Sequence, residues 1–159
     1  MNRERSIAGA QAILDYTFRN PELCWEALQA KGAGGYPEGN KRLALCGDAV
    51  LRLLIVQLWY PTGRTAEHAS NVVATTASND NLAVIGRQFG LPVLINKNPS
   101  QKGEVPGVRQ IADAVEALLG AAKLDGADET TLEGIMGDTW VVVKEYTCGA
   151  RENVMMVVT

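Results

Sequence analysis

The chain has 159 residues, 47% hydrophobic and 21% charged, with a formal net charge of −3. That length favours one domain with a real core, and the composition is ordinary for a soluble globular protein. The acidic balance argues against a nucleic-acid binder driven by overall charge, so any such contact needs local basic patches or bridging metal ions.

The opening MNRERSIAGA lacks the apolar segment of a secretory signal, so an intracellular protein is expected. From Arg5, RSIAGAQAILDYTF places Ile7, Ala10, Ile13 and Leu14 at helical spacing. NPELCWEALQA begins with Asn20 as an N-cap and Pro21 at the first helical position, with Leu23, Trp25, Ala27 and Leu28 as apolar contacts. KGAGGYPEG is a loop. Asn40 is placed to cap a long helix reaching about Trp59, where Pro61-Thr62-Gly63 stops it. Thr65 is placed to cap a helix through about Ala77, and Ser78 or Asn79 to cap another ending at Gly90. LPVLINKNPSQKGEVPG, with three prolines, is an irregular connection. VRQIADAVEALLGAAKLDG reads as a strong helix with Gly126 as its stop. DETTLEGIMGDTWVVVKEYT reads as a last helix with Thr130 or Thr131 near its start. The terminal VMMVVT suits a strand or a docked end. Together these patterns predict an all-α single domain over residues 1–146 with a C-terminal tail over 147–159. Cys24, Cys46 and Cys148 lack metal-ligand spacing and read as buried, reduced thiols.

Two groups of acids break the apolar pattern. Between Leu43 and Trp59 only Asp48, Arg52 and Gln57 are strongly polar, so the helix reads as buried on nearly every side, and its polar interruptions argue against a membrane span. A carboxylate in such a helix needs a partner. Arg52, one turn on, offers an i,i+4 ion pair; a divalent metal shared with other carboxylates is the alternative. Asp113 and Glu116, three apart, share one helix face, opposite a core stripe of Ile111, Val115, Leu118 and Leu119. That face suits plain solvation. Ala112, Ala114 and Ala117 beside it leave room for the close approach of another helix or a substrate.

These segments together resemble the ribonuclease III catalytic domain. The family's signature runs roughly Asn-Glu-Arg-Leu-Glu-Phe-Leu-Gly-Asp-Ala-Val-Leu, and NKRLALCGDAVL stands here from Asn40. YTFRNPELCWEAL from Tyr16, SNDNLAVIGRQFGL from Ser78 and IADAVEALLGAAKLDG from Ile111 are similar to three further family segments, in order and spacing. The resemblance implies an all-helical ribonuclease III-like domain that forms a homodimer and cleaves double-stranded RNA with Mg2+ or Mn2+. It implies that Asp48, Asp113 and Glu116 are the catalytic, metal-holding acids, the metal activating water and stabilising charge on the phosphate.

The departures from the family pattern gather at the same place. The remaining metal glutamate falls at Ala44, one turn before Asp48, and the first glutamate of the signature falls at Lys41. The aromatic that packs into the partner subunit falls at Leu45, the next leucine at Cys46, and Arg52 adds a cation. Glu67 lies about one position away from a further family glutamate, and the length leaves no room for the double-stranded RNA-binding domain that many members carry. Three readings follow: a ribonuclease with a weakened metal site, a non-catalytic scaffold for RNA or protein, and a fold repurposed to another ligand.

Overall fold

The computed structural model describes residues 2–101 and 103–137. Seven helices run through them: α1 (Arg3–Leu14), α2 (Pro21–Ala27), α3 (Lys41–Trp59), α4 (Ala66–Thr76), α5 (Asn79–Gln88), α6 (Val108–Leu124) and α7 (Glu129–Met136). The all-α class expected from periodicity is present, and no strand occurs among the described residues beyond isolated bridges.

Helix α6 is the hub. Ile111, Ala112, Ala114, Ala117, Leu119, Ala121 and Ala122 are fully buried, and the helix packs against α2, α3, α5 and α7. The alanines flagged as room for a neighbour are therefore filled by other helices, not held open for a substrate. Small side chains on the hub let those helices approach closely and interdigitate with the large ones.

Helix α3 is not the fully buried helix its composition predicts. Leu43, Ala44, Gly47, Leu51, Leu54 and Ile55 face the core at helical spacing. The opposite side leaves Leu45 75% and Leu53 58% exposed, with Val56 and Leu58 partly so. An apolar composition all round has two origins: a core face, and an apolar face that this chain alone does not cover. By length and composition Lys41–Thr62 also suffices to cross a membrane. Its packed inner face and its Asp48–Arg52 ion pair are the features of a core helix.

Local chemistry sets most of the boundaries. The side chains of Asn20, Thr65 and Ser78 accept hydrogen bonds from the backbone N–H groups of Glu22, His68 and Asn81, capping α2, α4 and α5 as expected. Gly126 takes a left-handed φ of +101° beyond the end of α6. Asp128 caps α7, accepting from the N–H of Thr131 at 2.8 Å, and Thr130 and Thr131 stand in the first turn as expected. Asn40 stands before α3 but makes no side-chain cap bond. Its Nδ2 donates instead to the carbonyl of Ala27 at 2.8 Å, tying the start of α3 to the end of α2.

Helix α1 ends at Leu14, the last apolar position at helical spacing. Asp15 turns left-handed at φ 48°, and the chain swings Phe18 into the core with Tyr16 edge-on to it. Asp125, just past α6, holds that swing in place. It accepts from the N–H groups of Arg19 and Asn20 at 2.7 and 2.8 Å and from the Tyr16 hydroxyl at 2.8 Å. Burial alone would raise this carboxyl, but the three donors outweigh it and keep it below the usual aspartate range. The last helix is present as α7; its expected continuation, the tail and Cys148 lie outside the described residues.

Candidate active site

Two glycines build the site. A Cβ on Gly47 would run into the backbone carbonyl of Glu116, and one on Gly120 into the carbonyl of Leu43. Helices α3 and α6 thus meet backbone to backbone, and no other residue type fits at either position. The meeting places Asp48, next to Gly47, beside Glu116 of the facing helix. Sequence reasoning singled out the acids and neighbouring alanines and passed over these glycines. The available signal was a glycine inside each of two otherwise helical motifs, LCGDAV and ALLGAA.

Asp48 and Asp113 both lie near enough for their charges to act on Glu116, but they do not stand alone. Arg52 Nε donates to both carboxylate oxygens of Asp48, at 2.8 and 2.9 Å, so the i,i+4 pair is formed. Lys41 Nζ crosses from the first turn of α3 to Asp113 Oδ2 on α6. Asp113 is mostly buried, with its side chain 16% exposed, so its face is not an ordinary solvated one. Glu116 has no hydrogen bond or ion pair within the described residues. Burial raises its carboxyl most, the charges of Asp48 and Asp113 raise it further, and Arg52 and Lys41 lower it only in part; it is pushed up to about 7.

The remaining departures are also placed. Ala44 is 4% exposed, so a methyl group and not solvent occupies the position of the family glutamate. Glu67 is exposed in the first turn of α4 and takes no part in these contacts. Cys46 is half-buried, whereas Cys24 is fully buried with its thiol pushed up to about 12 by desolvation, an inert core group.

Carboxylate oxygens are the right donors for a hard divalent ion such as magnesium. The arrangement nonetheless does not fit one. Among the described residues no three acidic, histidine or cysteine side chains converge as a ligand set. Two of the three acids are turned to protein cations, and Ala44, where the resemblance puts a further glutamate, offers no side-chain oxygen.

Comparison with known proteins agrees with this architecture. The model of the Ribonuclease III domain matches residues 41–127, more than half of the chain and the whole of α3 to α6. The chain belongs to the ribonuclease III family. Ribonuclease 3 of Rickettsia bellii is 31% identical over 158 residues, covering 89% of this chain and 67% of that protein. Ribonuclease 3 of Alkalilimnicola ehrlichii is 35% identical over 130 residues, covering 79% of this chain and 56% of that protein. The nuclease domain of Campylobacter jejuni ribonuclease III superposes with a TM-score of 0.73 at 24% identity, covering 91% of this chain and 98% of that one. The ribonuclease III fold is therefore present, and the changes at Lys41, Ala44 and Arg52 are made within it.

Proposed function

We propose that this ribonuclease III domain acts on double-stranded or structured RNA as a homodimer, and that its metal-dependent phosphodiester hydrolysis is weakened. The observation that carries this reading is the backbone contact between α3 and α6. It brings Asp48 of one family motif close to Glu116 of the other, whose carboxyl also feels the charge of Asp113. To hold Mg2+ or Mn2+ these acids would have to leave Lys41 and Arg52 and converge, and that requirement is why the hydrolysis is weakened. The exposed apolar stripe of α3 supports the dimer, and one Campylobacter jejuni nuclease-domain structure is described in terms of a region involved in dimer formation. Placement of the domain over 1–146 is part of the same proposal.

A second reading, a non-catalytic scaffold for RNA or protein, is favoured by one specific feature: Lys41 and Arg52 already neutralise two of the acids. Incubation with a long RNA duplex separates the two. The first reading expects slow cleavage with Mg2+ or Mn2+ that Glu116→Gln abolishes and Ala44→Glu accelerates. The scaffold reading expects duplex binding at low salt with no cleavage under either metal. Neither cleavage nor duplex binding at low salt overturns both RNA readings.

A further inference from the structure

We infer that Lys41 and Arg52 are resident counter-ions of the acidic cluster, so that a divalent cation reaches Asp113 and Asp48 only by displacing them. The inference rests on the reading of Asp48, Asp113 and Glu116 as the family's metal-holding acids, and it is independent of what RNA the domain binds.

Positions 41, 44, 48 and 52 fall three, four and four apart and share one face of α3. That face reads cation, methyl group, acid, cation. Lys41 stands two turns before Asp48 and Arg52 one turn after, so protein cations flank the acid from both ends. The two cations take different acids. Arg52 closes on Asp48 within its own helix, while Lys41 bridges to Asp113 across the α3–α6 contact. Three carboxylates against two cations leave a small negative remainder, and the acid without an ion pair among the described residues is Glu116. A divalent ion entering this cluster meets two positive charges at contact distance from the oxygens it needs. Burial of Ala44 supplies no further oxygen donor to offset them.

The counter-ions are also displaceable. The side chains of Lys41 and Arg52 are 39% and 48% exposed, so each has water to swing into. The acids they would leave are more enclosed, at 16% for Asp113 and 31% for Asp48. More exposed cations over more enclosed acids make a competitive arrangement, in which metal affinity is set by the strength of the two ion pairs.

Calorimetric titration of the EDTA-stripped full chain with Mn2+ tests this without RNA. Lys41→Gln and Arg52→Gln, each removing one competing charge, are expected to bind Mn2+ about tenfold or more tightly than the native chain. Lys41→Arg, which keeps the charge, is expected to stay near native. Adding Glu116→Gln to Lys41→Gln is expected to cancel the gain, which places it at this cluster. Circular dichroism checks the fold of each variant, and the two neutralising changes stand as independent tests because they act on different acids. Mn2+ affinities of both neutralised variants within about twofold of native, or a gain that survives Glu116→Gln, would overturn the inference. A flat titration in the neutralised variants also overturns the inference while leaving the duplex reading untouched, and loss of duplex binding leaves the titration result standing.

Discussion

Glu116 is where the electrostatics of the site become measurable. An ordinary glutamate titrates at 4.5, and this one is pushed up to about 7, first by burial and then by Asp48 and Asp113. The sign follows from proton binding. Below 4.5 the folded and unfolded chains both hold the proton, and the group contributes no penalty. As pH rises from 4.5 through about 7, the unfolded chain ionises freely while the folded chain resists, so stability is lost and stays lost above that range. Glu116→Gln removes the ionisation. In EDTA, the variant is expected to exceed the native chain in stability by roughly 1–3 kcal/mol at about pH 8, with the difference shrinking towards pH 5. Urea denaturation at the two pH values reads this directly; equal stability at pH 8 contradicts it.

At the scale of elements, the α3–α6 contact decides the geometry of everything near the site. Gly47→Ala has no small adjustment available, because the obstacle is the Glu116 backbone rather than a flexible side chain. It is expected to cost about 3 kcal/mol or more, or to prevent folding. Gly134 provides the contrast. It lies inside α7, and among the described residues nothing stands where a Cβ would go, so Gly134→Ala is expected to stabilise the chain by roughly 0.5–1 kcal/mol through helix propensity. Chemical denaturation of both variants checks the pair; comparable effects of the two substitutions argue against a backbone contact. Most helices of this packing were legible in the sequence, because Pro21, Thr65, Ser78 and Gly126 act locally on their own termini. The path of the chain after α1 was not. Beyond Leu14 it is set by the core that receives Phe18 and by the Asp125 hydrogen bonds, which come from the far side of the sequence.

For the whole molecule, the question is what covers the outer face of α3. Leu45, Ala49, Leu53, Val56 and Tyr60 follow helical spacing, and all are exposed in the single chain. Apolar side chains recurring on one stripe suit burial against a second copy. The native chain is expected to be a dimer by light scattering. Leu53→Asp, which places a charge in that stripe, is expected to weaken association by about a hundredfold or more without changing helix content. A native monomer, or a Leu53→Asp dimer of unchanged affinity, removes α3 as the interface.

By itself, the sequence determined the helical class, most helix starts and the family resemblance, and that resemblance singled out Asp48, Asp113, Glu116 and position 44 as candidates. Each of these is carried by local spacing or by a short motif, and neither depends on distant partners. Only the tertiary structure decided that α6 rather than α3 is the buried hub, that Gly47 and Gly120 bring the two motifs into contact, and that Lys41 turns inward to Asp113. The physical reason is common to all three. Burial, backbone contact and the choice of ion-pair partner are properties of two surfaces at once, and Lys41 and Asp113 are 72 residues apart in a chain that only packing folds back on itself.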